Sequence, residues 1–447
     1  MLHGQLIALA LAAATPWSEP VSLGTPALAV SSPAIAFARD GTALLSANTS
    51  SRVSFTGRLV IRAPSGAVTE TRLPEALAAD PVVYGRGQFA LLHIRRSSRP
   101  GGGTRLSVSF GTTAAPVSGR RPRVLSTYAL AQAEQGDPAI AVSAQGEAAV
   151  AWVEFLQRGR VQGLGIHRLR LAIRTPGGAF GRPRTLATAN GGIQGVALAY
   201  GRAGDLLAAY GAERSRGRTR RRTVEARLRR SRRGFGPARV LGPHEGLVDL
   251  SATMAPTGRA VVAWGTQDGG EGAEKPYRVR AAIRAPGSAT FSRTQLLDPG
   301  ATVDRVPGRL VLGLAPDGSA TVAWSNVVGS SNPVRVATTG PRTRFRPAGQ
   351  VAPNGAVGDV AVSGDGTAVL VWDPFTEFGP EGGQVQAALR PPGAPAFGSA
   401  ENVSAPEPTE LSHGGAAFDP ATGRAAVVWS RLAEPGPGAV WLSVRTP

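Results

Sequence analysis

The sequence contains no cysteine, and this absence excludes several kinds of site at once. A chain without thiols forms no disulfides, has no thiolate nucleophile and builds no cysteine-ligated zinc or iron–sulfur centre. Lysine is almost as scarce, because Lys275 is the only one. The net charge of +19 is therefore carried almost entirely by arginine. Such a charge favours attraction to a polyanion through the long-range field of a basic surface, while a GC-rich genome is the simpler explanation of the arginine content.

Long apolar runs are also lacking. No run approaches the ~20 apolar residues that cross a bilayer, so we expect no integral membrane segment. Residues 6–14, LIALALAAA, resemble the core and cleavage site of a secretory signal, but the preceding MLHGQ has no Lys or Arg. We interpret residues 1–14 as a truncated or atypical signal peptide and residues 15–447 as one domain. This predicts an exported protein, extracellular or in the cell envelope; the alternative is a cytoplasmic one.

Glycine and proline are abundant instead, at 58 and 36 residues, which suits many short strands joined by turns. The clearest unit is LAPDGSATVAW at residues 314–324, which predicts a strand, a tight turn at Asp317 and Gly318, and a second strand ending in tryptophan. Relatives of this unit, aligned on the glycine of the turn, recur at Gly41, Gly87, Gly146, Gly204, Gly258, Gly318, Gly366 and Gly423. Six residues after these glycines stand Ala47, His93, Trp152, Tyr210, Trp264, Trp324, Trp372 and Trp429.

Each repeat continues with two more strands. An alternating strand follows, for example at residues 169–174 and 279–284, and a Phe then opens a short last strand. This Phe recurs at Phe180, Phe235, Phe291, Phe345 and Phe397. Four short antiparallel strands per unit are the pattern of a propeller blade. We therefore predict an all-β fold, a single β-propeller of about eight four-stranded blades, or seven if blade 1 or blade 2 is irregular.

The two ends of the sequence predict how the ring closes. The last repeat stops at residues 444–447, without its fourth strand. The N-terminal segment supplies one, because Trp17, Pro20 and Leu23 have the spacing of Phe180, Pro183 and Leu186. Seven blades are then contiguous, from about residue 32 to residue 405, and the eighth is shared between residues 408–447 and the N-terminal strand. Pairing the two ends in one blade leaves no terminal sheet edge exposed.

The repeated aromatics are predicted to be structural. Small residues let inner strands converge near the axis, and a large aromatic fills the wedge that widens between blades. The set consists of Trp17, Trp152, Tyr210, Trp264, Trp324, Trp372 and Trp429. With its Ala315-Pro316-Asp317-Gly318 turn before an apolar strand, the unit resembles the repeats of TolB-like and other WD-type (WD40-like) propellers. That resemblance implies a binding scaffold and supplies no catalytic residues.

One segment, residues 214–233, is strongly basic, with eleven arginines in twenty residues. Its arginines are Arg214, Arg216, Arg218, Arg220, Arg221, Arg222, Arg227, Arg229, Arg230, Arg232 and Arg233. Such a cluster is a candidate site for phosphates or an anionic polymer, through counterion release and bidentate contacts. The alternative is a solvated hairpin. Only Tyr210 and Phe235 flank it, so platforms for base stacking are poor and we do not expect specific nucleic-acid recognition.

Signals for catalysis are weak. The five histidines lack metal-ligand spacing, and no nucleophile elbow, phosphate-binding loop or zincin motif occurs. We predict no metal, no cofactor and no catalytic residue. Carboxylates do cluster loosely in two loops, at Asp268, Glu271 and Glu274, and at Asp373, Glu377 and Glu381. A glycosidase needs two facing carboxylates, so a polysaccharide hydrolase or lyase is the alternative.

The sequence thus favours a non-catalytic, monomeric propeller scaffold. It is predicted to engage a protein partner or an anionic cell-envelope polymer through one loop-bearing face. The long loops after Trp152, Tyr210, Trp264 and Trp372 are expected to form that face. Converging carboxylates or a histidine in a deep channel pocket would favour the enzyme instead.

Overall fold

Eight antiparallel sheets follow one another around a closed ring in the part of the chain that the structure describes. The structure is a computed structural model, and the residues that it describes are 17–27, 30–50, 55–74, 77–78, 81–96, 104–115, 123–128, 138–157, 165–201, 203–217, 219–231, 233–267, 275–299, 302–303, 309–325, 331–373, 383–406, 411–431 and 438–445. All the regular structure in these ranges is β, and the fold is an eight-bladed propeller. The predicted signal segment, residues 1–14, lies outside them.

The strands pair in chain order within each blade. Strand β1 is Val21–Ala27. Blade 1 contains β2 (Val30–Phe37), β3 (Ala43–Ser50), β4 (Phe55–Arg62) and β5 (Val68–Pro74). Blade 2 contains β6 (Leu77–Ala78), β7 (Val82–Tyr84), β8 (Gln88–Arg96), β9 (Thr104–Thr112) and β10 (Arg123–Tyr128). Blade 3 contains β11 (Ala139–Val142), β12 (Ala148–Gln157), β13 (Gly165–Arg174) and β14 (Arg184–Ala189). Blade 4 contains β15 (Gly192–Tyr200), β16 (Leu206–Arg216), β17 (Thr219–Arg229) and β18 (Arg239–Pro243).

The second half of the ring repeats this plan. Blade 5 contains β19 (Leu247–Met254), β20 (Ala260–Gln267), β21 (Lys275–Arg284), β22 (Gln295–Asp298) and the short β23 (Thr302–Val303). Blade 6 contains β24 (Leu310–Leu314), β25 (Ala320–Ser325), β26 (Val334–Thr339) and β27 (Gly349–Ala352). Blade 7 contains β28 (Ala356–Val362), β29 (Ala368–Asp373), β30 (Gln386–Arg390) and β31 (Glu401–Asn402). Blade 8 contains β32 (Leu411–Phe418), β33 (Ala425–Arg431) and β34 (Gly438–Val444), and β1 completes it.

The inner strands form the ring. The inner strand of each blade contacts the inner strands of the two neighbouring blades, and the series β2, β7, β11, β15, β19, β24, β28, β32 returns to β2. Blade 2 is complete although its sequence is degenerate, because β6 and β7 both pair with β8. The ring therefore has eight blades rather than seven.

The predicted closure of the ring is confirmed. Strand β1 pairs antiparallel with β34, so that Val21 lies opposite Leu442 and Leu23 opposite Val440. Trp17 continues this pairing as a bridge to Arg445. The backbone N–H of Ser18 donates to the Val444 carbonyl at 2.9 Å.

The repeated glycine has a conformational cause. At the turn between the first two strands of a blade it adopts positive φ, for example 86° at Gly258 and 92° at Gly318, and the other six aligned glycines do the same. Residues with a Cβ are strained in this conformation. The glycine pattern therefore marks the same turn in every blade.

The repeated aromatics lie between blades. Trp264, Trp324 and Trp372 are fully buried, and Trp17 is 3% exposed. Trp324 packs with residues of blades 5 and 6, and Trp17 with residues of blades 7 and 8. Tyr210 takes the same place in blade 4 and Trp152 in blade 3. Among the described residues, no helix has the length and apolarity needed to cross a lipid bilayer.

Candidate functional site

The basic segment, residues 214–233, does not form one surface, because β17 carries it from one face of the ring to the other. We call the face with the glycine turns the turn face and the opposite one the loop face. At about 3.4 Å per residue, the eleven residues of β17 span more than 30 Å. Arg214, Arg216, Arg220, Arg221 and Arg222 flank the β16–β17 hairpin turn on the loop face, and Arg227, Arg229, Arg230 and Arg233 lie towards the turn face. Arg218 and Arg232 lie outside the described residues.

The arginines at the hairpin are largely paired within the blade. Arg214 Nη2 donates to Glu225 Oε2 at 3.1 Å, and Arg222 Nε donates to Glu213 at 2.7 Å. Burial acts to raise the pKa of Glu225, but hydrogen bonds from Arg214, Tyr210 and Thr223 and the Arg214 charge outweigh it and lower the pKa. These carboxylates neutralise much of the local positive charge.

A groove opens at the other end of the segment, between blades 3 and 4. Its volume is about 580 Å³, and its walls come from β13 and the start of β14 on one side and from β17 and the following turn on the other. Five arginines line this blade 3/4 groove, namely Arg182, Arg184, Arg227, Arg229 and Arg233. Among its described lining residues, Glu147 is the only carboxylate. The groove is therefore strongly positive.

Glu147 is already engaged by two donors. The Tyr200 hydroxyl donates to Glu147 Oε1 at 2.8 Å, and Arg229 forms an ion pair with the same oxygen. Burial and the neighbouring Glu147 charge raise the pKa of Tyr200 above its usual range, so the phenol stays protonated and continues to donate. The pairing holds Arg229, which is 9% exposed, at the floor of the groove.

Two further grooves continue from this one on the turn face. The groove between blades 4 and 5 has a volume of about 180 Å³ and shares Arg233 with the first. The groove between blades 5 and 6, of about 420 Å³, shares Phe291 with the second. We call the three grooves together the arginine arc. Seven exposed arginines line it, namely Arg182, Arg184, Arg230, Arg233, Arg239, Arg342 and Arg344.

Other arginines of the arc are structural. Arg284 donates to the Ser288 and Gly258 carbonyls, each at 2.7 Å, and is 2% exposed. Arg259 reaches from blade 5 into blade 6, where it donates to the Thr343 carbonyl at 2.9 Å. Burial lowers the pKa of both groups. These two side chains hold turns in place rather than face a ligand.

The two aspartates of the described inner strands each take part in a contact between blades. Asp249 accepts from the Leu310 N–H at 2.8 Å, and Asp359 accepts from the Ala416 N–H at 3.1 Å. Each carboxylate thus joins its own inner strand to that of the next blade. Burial raises the pKa of Asp249. Blade 6 separates the two aspartates.

Most of the predicted loop carboxylates lie outside the described residues. Asp373 is 8% exposed, while Asp268, Glu271, Glu274, Glu377 and Glu381 lie outside the described residues. So do most of the loops after Trp152, Trp264 and Trp372. His93 is buried at a core aromatic position, and burial lowers its pKa to about 4. Within the described ranges, no group of three or more His, Asp or Glu side chains is placed to hold a metal ion.

The sequence reasoning missed the groove, three of its lining residues and the tyrosine that donates to one of them. It grouped Arg227, Arg229 and Arg233 with the hairpin arginines, and it did not single out Arg182, Arg184, Glu147 or Tyr200. These residues meet only because neighbouring blades stack, and the Glu147–Arg229 pair spans 82 positions. A signal was available in the repeat alignment, because Arg227 falls where the aligned strands of blades 3, 5, 6 and 7 have alanine.

Comparisons with known protein families and curated sequences identify no relative of this chain. No family model matches the chain, and no curated protein sequence matches it. Solved structures with a similar arrangement include an ulvan lyase from a new family of polysaccharide lyases, at 11% identity and a TM-score of 0.46, covering 83% of this chain and 95% of that one. A mutant NanB sialidase from Streptococcus pneumoniae matches at 8% identity and a TM-score of 0.39, covering 96% and 94%.

A third similar structure is an α-L-arabinanase of Penicillium chrysogenum complexed with arabinobiose, at 11% identity and a TM-score of 0.42, covering 82% of this chain and 93% of that one. Likeness at this level does not assign an activity or a substrate to this chain.

Proposed function

We propose that this chain is a non-catalytic β-propeller scaffold that binds an anionic polymer of the cell envelope along the arginine arc. The observation that carries this proposal is the charge of the blade 3/4 groove, where five arginines surround one carboxylate that is already paired. Release of condensed counterions from a polyanion is the driving force expected for such a surface.

The shape of the arc supports a long ligand rather than a compact one. Three grooves follow one another across blades 3 to 6 and share walls, so one extended chain can contact them in turn. Two aspartates of the same face, Asp205 and Asp317, accept hydrogen bonds from backbone N–H groups of their own blades. Their charges reduce the positive field but do not cancel the seven exposed arginines.

The composition of the grooves favours a polysaccharide or a similar envelope polymer over nucleic acid. Recognition of single-stranded nucleic acid relies on aromatic platforms for the bases. Phe235 is the only described aromatic that lines the blade 3/4 groove, and it is half-buried.

The setting of this function is also a proposal. The TolB-like resemblance of the repeat fits a binding scaffold, and the apolar run at residues 6–14 fits export. We propose a monomer that acts in the cell envelope or outside the cell. Expression of the full sequence in a bacterium, followed by fractionation and N-terminal sequencing of the mature chain, checks export. Recovery only in the cytoplasm with the N-terminus intact contradicts it.

The binding function is tested with a triple variant, Arg182→Ser, Arg184→Ser and Arg233→Ser. We expect weaker retention on an anionic polysaccharide matrix and a salt dependence of binding that is lower by about one unit of slope for each lost contact. Titration calorimetry against soluble polygalacturonate and dextran sulfate gives the affinities.

The matched control removes the same charge from the loop face, by Arg216→Ser, Arg220→Ser and Arg221→Ser. If the control loses as much affinity as the groove variant, binding depends on total charge or on the hairpin, and the groove is not the site. Failure of the unaltered protein to bind either polymer contradicts the proposed function.

The alternative is a hydrolase or lyase that acts on a polysaccharide through channel-facing carboxylates. No observation among the described residues favours it, because Asp249 and Asp359 both hold neighbouring strands. Release of reducing or unsaturated ends from a bound polymer would establish it and replace the scaffold proposal.

A further inference from the structure

The repeats of this propeller act as internal controls for each other, and blade 4 departs from them at one buried position. We number the third strand of a blade by six aligned residues, as in Val279 to Arg284 of blade 5. Its fourth residue is Ala172 in blade 3, Ala282 in blade 5, Ala337 in blade 6 and Ala388 in blade 7. In blade 4 this residue is Arg227.

The alanine has a clear role in the other blades. It is at most 1% exposed, and it packs in one cluster with the Phe that opens the fourth strand and with residues of the preceding blade. The pairs are Ala172 with Phe180, Ala282 with Phe291, Ala337 with Phe345, and Ala388 with Phe397. A small residue thus lets the Phe close the seam between two blades.

Blade 4 keeps the Phe of this arrangement but not the alanine. Phe235 packs against the core cluster between blades 3 and 4, whereas Arg227 lines the blade 3/4 groove where the other blades bury an alanine. A guanidinium at an interblade core position costs stability unless something satisfies it. A departure of this kind from the local pattern is expected at functional positions.

Two arginines of this groove each keep one donor without a partner among the described residues. The Nε atoms of Arg227 and Arg229 are both buried and have no hydrogen-bond partner in the described part of the chain. Arg227 extends inward to the Tyr210 hydroxyl, where it opposes the effects of burial and of Glu225, which together raise the pKa of Tyr210 to about 12. Residues two apart on a strand lie on the same face, about 7 Å from each other. Both side chains therefore leave the same face of β17, and we call the part of the blade 3/4 groove that they line the recess.

The structure assigns this recess to one oxyanion group of the polymer, a carboxylate or a sulfate ester, held by Arg227 and Arg229 at the blade 3/4 seam. This inference rests on the proposed function and adds that the arc has one specific subsite among non-specific contacts. Planar guanidinium donors match the paired oxygens of such groups and bind them bidentately. Glu147 is the one carboxylate among the described lining residues, and two donors already occupy it, while the other charged lining groups are all arginines.

The test uses Arg227→Ala, which restores the residue of the other blades and is expected to keep or raise the melting temperature. Binding of polygalacturonate, dextran sulfate and neutral dextran is measured by calorimetry for the full chain. We expect affinity for at least one of the two anionic polymers to fall roughly tenfold or more, the effect of losing a charge-assisted pair. Arg227→Lys keeps the charge but loses the planar fork, and it should recover less than half of the lost binding free energy.

The matched control is Arg424→Ala, an exposed arginine of the turn face in blade 8, on the opposite side of the ring. We expect less than a twofold effect. The proposed subsite is overturned if the unaltered protein binds the polymers and Arg227→Ala lowers the affinity no more than Arg424→Ala does. If the unaltered protein binds no polymer, the proposed function itself fails, and the two failures are thus distinguished. Single-stranded DNA bound as tightly, with the same dependence on Arg227, would overturn the assignment to a polysaccharide.

Discussion

The seam between blades 3 and 4 and the seam between blades 7 and 8 use the same positions for opposite purposes. Both have an arginine at the end of the third strand, Arg229 in one and Arg445 in the other. Both also have a charged residue on the preceding blade, four positions after the Phe that opens its fourth strand. This residue is Arg184, after Phe180, in one seam and Glu401, after Phe397, in the other. One seam brings like charges together and the other brings opposite charges together.

The blade 7/8 seam is closed by its carboxylate. Glu401 accepts from Trp17 Nε1 at 2.9 Å and from Arg445 at 3.0 and 3.1 Å, so one side chain holds both segments that complete the ring. In the blade 3/4 seam Arg184 cannot play this part. Arg229 pairs with Glu147 of the glycine turn instead, and a groove remains. The aligned position thus carries opposite charges at the two seams, and the seam with the arginine is the one that we propose binds the polymer.

The largest expected effect comes from breaking the closed seam at its aromatic. Trp17→Ala removes a side chain that is 3% exposed and should destabilise the protein by about 3–5 kcal/mol. Urea unfolding measures the loss, and hydrogen exchange should rise in β1 and β34. Trp372→Ala is the matched core control, with a similar loss of stability but no selective exchange at β34. Equal protection of β34 in both variants would contradict the role of Trp17 in closure.

Acidification has the next largest effect and acts at neither seam. Burial lowers the pKa of His93 from 6.5 to about 4. The unfolded chain takes up the proton first, so stability that is present above pH 6.5 is lost as the pH falls towards 4. His93 alone should cost about 2 kcal/mol at pH 5.

Replacing this histidine by the aromatic type that other blades carry isolates the effect. His93→Phe should reduce the difference in unfolding free energy between pH 7 and pH 5. His244, whose pKa burial and Arg222 also lower to about 4, keeps part of the difference. An unchanged pH dependence in His93→Phe would show that His93 is not buried as a neutral ring.

Replacing the carboxylate of one seam should mainly change stability, and replacing that of the other should mainly change polymer binding. Glu401→Ala removes the shared acceptor of Trp17 and Arg445 and should lower stability by about 2 kcal/mol without changing polymer binding. Glu147→Gln should lower stability less and tighten polymer binding, because it removes the one negative charge from the groove. Urea unfolding and calorimetry on both variants check the contrast. Tighter binding in Glu401→Ala would mean that the two seams are not distinct.

The smallest effect on stability comes from converting the open seam into a closed one. Arg184→Glu places a carboxylate where the blade 7/8 seam has Glu401, within the groove that Arg229 lines. We expect stability to rise by about 0.5–1 kcal/mol and polymer affinity to fall. Arg424→Glu makes the same change of charge on the far side of the ring, and an equal loss of affinity there would argue against a local effect.

The fold could be predicted from the sequence because each repeat carries the same physical constraints. Positive φ at the turn favours glycine, a large aromatic fills the interblade wedge, and the spacing of Trp17, Pro20 and Leu23 matches a fourth strand. These constraints are local, so the glycine recurs in all eight blades and the large aromatic in six. The sequence shows the eleven arginines as one segment, and the length of β17 divides its described members between the two faces.

The candidate site depended on contacts between blades, which the sequence shows only indirectly. Glu147 and Arg229 are far apart in the chain, and nothing local indicates that they pair. Arg259 likewise fills the place in blade 6 where Thr339 stands instead of the usual arginine, and it donates to that threonine at 3.3 Å. Once the blades are aligned, the Arg259 arrangement corresponds to a departure from the repeat at Thr339, whereas Arg229 is the usual arginine of its position.

The pairing of β1 with β34 has a mechanical consequence. Trp17 and Arg445 lie side by side at the same corner of blade 8, and the two strands run antiparallel away from that corner. A force that pulls these two points apart therefore loads the hydrogen bonds one after another, as in opening a zipper, instead of shearing them together. The ring should open at low force from this corner, with the contacts of Glu401 among the first to break, while the other seven blades stay intact.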